Sequence, residues 1–533
     1  MDDARFDHPE WYLGLGLVER AGCATGNRPV PASARTRFEQ WTSQRPFANG
    51  EWLPVRLAAD GLDLAALEDT LALSAADLKA RTHRPDWLAQ LEAAFTHGAG
   101  ATSATIALLD EGNAGARLLN LVAPLLESAR RRLRSALTPL AGRPPIDIDR
   151  TTEQLVSIVA RRVLSSIDRT LVLELHIAKL EGRLEGDTPE ARFEHFVRLL
   201  ATTEEAAAVL SRYPVLARRL MENIDDAVTA SAEFAQRLVD DWTMIRGSLL
   251  AHGDPGPLVD VTQAGDPHRR GRRVVIATFE SGARLVYKPR PLDVDVDFQQ
   301  FLAFINQRLD GPQFRTMAVL ARPDYGWLEF IDAKPCHTDE EARCYYWRLG
   351  GLLAVLHALR GVDCHFENLI AHGDQPVLVD LETLVHPAIP YREPEHYDRR
   401  FAGRLLTRSV LRVGLLPVPT GGADPAGGID LSGVASVEGV MSPDRVLQWE
   451  KRGTDDMRAV REHVEMSGAA NRPHLDGRSF DAKAFRDEIA EGFAAVYRLI
   501  ARERDALLAP GGPVEAFATD SVRVVLRATR AYG

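Results

Sequence analysis

The stretch DCHFENLIAHGDQPVLVDLETLVHP, residues 363–387, sets Asp363, His365 and Asn368 ahead of a turn over His372–Pro376, then returns Asp380 and Glu382 after the apolar run Val377-Leu378-Val379. An Asp and an Asn five apart occupy a loop, and the turn folds the chain back so that Asp380 comes beside them. These are hard oxygen ligands, the kind that hold magnesium. Phosphoryl transfer asks little covalent work of a protein: charge against a triphosphate, a metal held by oxygens, and an acceptor hydroxyl near a base. Lys288, ending the run ARLVYK, is placed to reach phosphate oxygens. Asp363 can orient a hydroxyl and take its proton, Asn368 and Asp380 offer oxygens to magnesium, and Glu382 can add to them. His365 reads as a packed loop histidine or a phosphate contact. Singly, a Lys after a strand is a solvated edge residue and an Asp after one is a helix cap. In this order together they favour a kinase-like site.

Two further clusters exceed what a plain kinase needs. GDPHRRGRRV places Asp266 and His268 two apart, on one side if the segment is extended and in a turn otherwise. The Val-rich run SVRVVLRATRAY favours a strand, with Arg523, Arg527 and Thr529 on one face or lying along a solvated basic edge.

Elements must position these residues. RRVVIATF and ARLVYKPR are β-branched runs separated by Glu280-Ser281-Gly282, a hairpin. Phe298, Phe301, Leu302, Ile305 and Leu309 fall on one helical face, YGWLEFI is a strand, and EARCYYWRLGGLLAVLHALRG is a helix stopped by Gly361. Up to about residue 260 the spacing is helical, as in ARLLNLVAPLLESARRRLRSAL and the long run after Tyr213. The arginines Arg130, Arg131, Arg132 and Arg134 read as a solvated helix face rather than a phosphate patch.

A net charge of −11 argues against nucleic acid or an anionic membrane as the main partner. Four cysteines without metal-ligand spacing disfavour a structural zinc site and suit a reducing compartment. The acidic N-terminus lacks a secretory pattern, and no apolar run reaches the ~20 residues that span a bilayer. A cytoplasmic protein without a transmembrane segment is expected.

From about residue 200 the chain resembles the dehydratase part of class II (LanM-type) lanthipeptide synthetases. YPVLARRL, GDPHRRGRRVVIATFESGARLVYKPRPL, YGWLEFI, DCHFENLIAHGDQPVLVDLETLVHP and RVVLRATRAY carry the resemblance. It implies an α+β fold: a mainly helical region over 1–260, an atypical, lipid-kinase-like bilobal kinase core over 261–400, and a family-specific extension over 401–533. It also implies two steps on a ribosomally made precursor peptide with a leader and a Ser/Thr/Cys-rich core. Ser or Thr is phosphorylated with ATP and magnesium, then phosphate is eliminated to leave dehydroalanine or dehydrobutyrine. Lys288, Asp363, His365, Asn368, Asp380 and Glu382 match the phosphorylation set, and Asp266, His268, Arg523 and Thr529 the elimination set. Elimination needs a base for the Cα proton and donors for the leaving phosphate, which suits Arg523 and Thr529. Asp266 or His268 can be that base or can position the peptide.

The chain departs from the pattern in three ways. Residues 293–309 hold Asp293, Asp295 and Asp297 but no Glu to pair with the lysine, which favours the lipid-kinase type. The cyclase domain with its zinc ligands is not expected here, which implies a separate cyclase. The dehydratase region reads as truncated after RATRAY. An atypical lipid or small-molecule kinase without elimination, or an inactive peptide-binding fragment, are the competing expectations.

Overall fold

A computed structural model describes residues 4–24, 31–44, 47–97, 114–250, 253–387, 405–406, 408–418 and 428–525. The fold is α+β, with helices first and a sheet-containing core after them. The chain forms two compact units, one over 1–239 with 267–272 and 449–460, the other over 240–266, 273–448 and 461–533. Among the described residues no helix is long and apolar enough to cross a membrane.

The first unit is built on helices α1 (Ala123–Leu137), α2 (Ile148–Leu180), α3 (Pro189–Leu200) and α4 (Pro214–Asp240). Asp147 caps α2 by accepting from Arg150 N, and Leu155, Val159, Val163, Ile167, Leu171 and Leu175 form its buried stripe. The arginine run on α1 is an ion-paired surface: Arg130 meets Glu153, Arg132 meets Asp225 and Arg134 meets Asp149. The returning segment 449–460 is pinned by fully buried Asp455, which accepts from Arg192 at 2.6 Å and stands 3.1 Å from Lys179.

The second unit holds a five-stranded sheet of order β1-β2-β3-β5-β4. Its strands are β1 (Leu258–His268), β2 (Arg272–Phe279), β3 (Arg284–Lys288), β4 (Val319–Ala321) and β5 (Gly326–Glu329). The hairpin pairs Val275 with Tyr287 and Thr278 with Arg284, and Gly282 at φ 85° makes its turn. Helix α5 (Asp293–Asn306) crosses from β3 towards β4, burying Phe298, Phe301, Leu302 and Ile305. Each such side chain contributes about 1.5–3 kcal/mol of burial. Helix α6 (Asp339–Ala358) starts at a Thr338 cap and is buried almost all round. It lies hard against α7 (Arg486–Arg502): a Cβ on Gly350 would meet Ile489 O at 2.0 Å, and one on Gly492 would meet Trp347 O at 1.8 Å. Beyond α6, β6 (Leu369–His372) and β7 (Gln375–Leu378) form a tight antiparallel hairpin through Gly373 and Asp374. Gln375 and Pro376, expected in the turn, belong to β7.

Of the two readings of Asp266 and His268, the extended one holds, since residues 258–268 form β1. One expectation changes. The C-terminal run does not form the expected strand in its described part, 521–525. The amides of Arg523 and Val525 are taken instead by Glu382 O and by His386 Nε2.

Candidate active site

Strand β3 buries Leu285 and Tyr287 on one face, which turns Val286 and Lys288 to the other. Lys288 pairs across the sheet with Gly326, where a Cβ would lie 2.4 Å from Leu292. The lysine is 5% exposed. Its ammonium donates to Val379 O at 2.7 Å and stands 3.7 Å from both Asp295 Oδ1 and Asp380 Oδ1. A buried ammonium requires such counter-charges.

Two members of this cluster were not singled out from the sequence as site residues. Asp295, fully buried in the first turn of α5, is the acid that faces the lysine from the helix. The helix lacks a Glu yet supplies a carboxylate one methylene shorter. Arg290, two residues past Lys288 in YKPR, is the hub. It donates to Asp295 Oδ2 at 2.9 Å, reaches Asp380 Oδ1 at 3.3 Å and stands 3.5 Å from Glu382 Oε2. Burial lowers its pKa, but Asp295, Asp380 and Glu382 outweigh that and raise it above the ordinary guanidinium value. The signal lay in the sequence: an Arg beside a strand-end Lys, and an Asp-x-Asp-x-Asp helix start.

The loop after α6 is bound on both sides. Val362 N and Cys364 N donate to Thr383 O and Val413 O, Phe366 N donates to Leu431 O, and the Thr383 hydroxyl donates to Val362 O. This holds Asp363 at φ 62°, a left-handed conformation that Asp tolerates better than most residues. Asn368 Nδ2 donates to Asp363 O at 2.9 Å, and Val379 N donates to Asn368 O at 3.0 Å. The second of these bonds carries the hairpin ladder one residue further and sets Asp380 next to Asn368. His365 Nδ1 accepts from Glu367 N at 3.3 Å, capping the short helical turn Phe366–Asn368.

The two loop acids are tuned in opposite directions. Desolvation pushes the Asp363 carboxyl up; His365 and Arg523 pull it down and Asp380 and Glu382 push it up again, leaving it above the usual carboxylate range. Desolvation also opposes ionisation of Asp380, but Lys288, Arg290 and the Glu382 amide hold it below that range. A raised Asp can receive a proton while a depressed one stays anionic for a cation.

Arg523 joins the same cluster. Its guanidinium donates to Glu382 Oε1 at 2.8 Å and its amide to Glu382 O at 2.6 Å. Asp266 and His268 are exposed, two apart at the end of β1, and the contacts just described do not include them. Thr529 and Arg527 lie outside the described residues. Among the described residues, no group of three or more His, Cys, Asp or Glu side chains is arranged to hold a metal. Magnesium ordinarily takes one or two carboxylates together with substrate phosphates and water. The oxygen donors of Asn368 and Asp380 fit that class, since the Asn368 amide nitrogen donates to the Asp363 carbonyl, which identifies its other end as the acceptor oxygen.

Residues 213–533, more than half the chain, match the family model described as Domain of unknown function (DUF4135). The chain is also similar to the Lacticin 481/lactococcin biosynthesis protein LcnDR2 of Lactococcus lactis subsp. lactis, at 26% identity over 385 residues. That match covers 69% of this chain and 40% of the relative, so the chain spans less than half of that protein's length.

Proposed function

The chain belongs to the family described as Domain of unknown function (DUF4135), and on that premise we propose that it is a dehydratase of the class II, LanM-type lanthipeptide synthetases. In this reading it phosphorylates Ser or Thr of a ribosomally made precursor peptide with ATP, then eliminates phosphate to leave dehydroalanine or dehydrobutyrine. The name of the relative, a lacticin 481 biosynthesis protein, supports a role in modifying such a peptide. The observation that carries the two-step reading is the Arg523–Glu382 contact, because it ties a residue of the elimination set to one of the phosphorylation set.

Each residue has a part that follows from its place. Asp363 receives the proton of the acceptor hydroxyl as the new O–P bond forms, for which its raised pKa suits it. Lys288 and Arg290 supply positive charge along the phosphates, and Asp295 holds both cations from behind. Magnesium on Asn368 and Asp380 would supply charge neutralisation of the phosphate oxygens. In the second step the Cα–H bond breaks towards a base, Asp266 or His268 being the candidates. Its electron pair forms the Cα=Cβ bond, and the Cβ–O bond breaks with phosphate leaving onto Arg523.

The test is mass spectrometry of a Ser/Thr-rich precursor peptide incubated with the full chain and Mg-ATP. Phosphate adducts followed by net loss of water per modified residue are expected, and Arg523→Ala should accumulate the adducts. A stable phosphorylated product with the unaltered chain would instead mark a kinase without elimination.

A further inference from the structure

Both oxygens of the Glu382 carboxylate face guanidiniums. Oε1 accepts from Arg523 at 2.8 Å and Oε2 stands 3.5 Å from Arg290 Nε. The side chain is 15% exposed. A phosphate monoester would offer the same two guanidiniums an anion with one more negative charge and one more free oxygen, arranged tetrahedrally.

The backbone around Arg523 does not depend on this grip. Its amide is bonded to Glu382 O at 2.6 Å, and two residues on Val525 N donates to His386 Nε2 at 3.0 Å. The guanidinium can therefore change partners while its Cα stays in place. On the other side, Arg290 keeps its shorter bond to Asp295 when Glu382 leaves.

We propose that the Glu382 carboxylate is a stand-in anion, holding Arg523 and Arg290 until the phosphate monoester formed on the substrate displaces it. The pocket then gains its full grip on phosphate only after phosphoryl transfer, which orders the two steps. The idea rests on the two-step reading above and deepens it by assigning Glu382 a positioning role beyond the first step.

The experiment is calorimetric titration of the full chain, without nucleotide, using O-phospho-L-serine, with L-serine as blank and inorganic phosphate as a second arm. Glu382→Gln no longer offers a competing charge-assisted bond, so it should bind O-phosphoserine about tenfold tighter than the unaltered chain. Glu382→Asp, a carboxylate one methylene shorter, should lie between the two. Adding Arg523→Gln to Glu382→Gln should cancel the gain. Equal or weaker binding by Glu382→Gln, or a gain that survives loss of Arg523, overturns the proposal. A gain for inorganic phosphate alone overturns the assignment to the monoester. Binding is read without turnover, so a chain that fails to dehydrate its peptide refutes the two-step reading while this titration still tests the stand-in role independently.

Discussion

Replacing Arg290 with Met tests the centre of the cluster most directly. The methionine keeps the length of the stem and removes a guanidinium that satisfies one fully buried carboxylate, Asp295, and contacts two others. Lys288 then faces Asp295 and Asp380 as the remaining cation of the β3 side, while Glu382 keeps Arg523. Asp295 Oδ1 is already buried without a hydrogen bond, so losing the Oδ2 bond leaves the carboxylate with none and with only the Lys288 ammonium, 3.7 Å away, as counter-charge. Removing one partner of a buried pair costs about 3–5 kcal/mol. Against a total stability of about 5–15 kcal/mol this is severe. At roughly 2 °C per kcal/mol for a unit of this size, the melting temperature should fall by about 6–10 °C. Scanning calorimetry of the full chain reads it, because two compact units can give separate transitions. The decisive companion is Arg290→Met with Asp295→Leu. It deletes one charge of each sign, restores the charge balance and leaves no stranded acid, so most of the loss should return. If the double variant melts as low as Arg290→Met, or if Arg290→Met melts within about 1 °C of the parent, the reasoning about this pair is wrong.

Two further predictions concern pH. The Asp520 carboxyl is pushed up to about 6, by desolvation first and then by Asp297 and Asp293, with a hydrogen bond to Asp297. A carboxyl raised in the fold stabilises it fully below the unfolded value, 3.8, and that contribution is lost as pH rises through about 6. The shift corresponds to about 3 kcal/mol unscreened, and about 1 kcal/mol once solvent screening of this partly open group is allowed for. Asp520→Asn should therefore melt about 2 °C higher than the parent at neutral pH and nearly level with it near pH 4. A constant difference across that range would count against a shared proton. The second concerns Asp363: as the base of the proposed phosphoryl transfer, its raised pKa would set the acid limb above the usual carboxylate range. Arg523 draws that pKa down, so Arg523→Gln should move the limb to higher pH in a kcat/KM profile. An unmoved limb would remove Asp363 as the base.

Much of the site was legible because its order is local. The β2–β3 hairpin, α5, α6 and the β6–β7 return each carry a periodic pattern or a turn residue. The ladder from Leu369–Leu378 to Asn368–Val379 then places Asp380 without further information. Strand β1 escaped because only Leu258 and Val261 are buried along it, so no alternation marks it. Arg290 and Asp295 escaped because charge alone does not announce burial; the sequence has many Arg and Asp residues, and these two differ in what they touch. The return of 449–460 to the helical unit depends on Asp455 meeting Arg192 and Lys179, contacts with no local signature. The C-terminal run has strand composition, yet in its described part, 521–525, the amides of Arg523 and Val525 are taken by Glu382 and His386 instead of a neighbouring strand. Propensity is overridden there by long-range acceptors.

The way hydrogen bonds are divided around residues 362–386 suits the proposed exchange of one anion for another in a small region. The loop's geometry is set mostly by main-chain bonds: Val362 to Thr383, Cys364 to Val413, Phe366 to Leu431, Val379 to Asn368 and Arg523 to Glu382. The charged side chains meet in two kinds of contact: hydrogen bonds at 2.8 Å for Arg523–Glu382, 2.9 Å for Arg290–Asp295 and 3.3 Å for Arg290–Asp380, and longer approaches at 3.5 Å for Arg290–Glu382 and 3.7 Å for Lys288 to each of Asp295 and Asp380. The longer pairs are held by charge rather than by directed bonds, so in the proposed reaction an entering anion would take them over without moving the backbone. The scaffold is then paid for in folding and not at the moment of binding, which is what preorganisation requires. Asp295 is what would make this workable. Wholly buried and bonded to Arg290, it keeps negative charge behind the cations, which would hold Lys288 and Arg290 in register while the anion in front of them is exchanged.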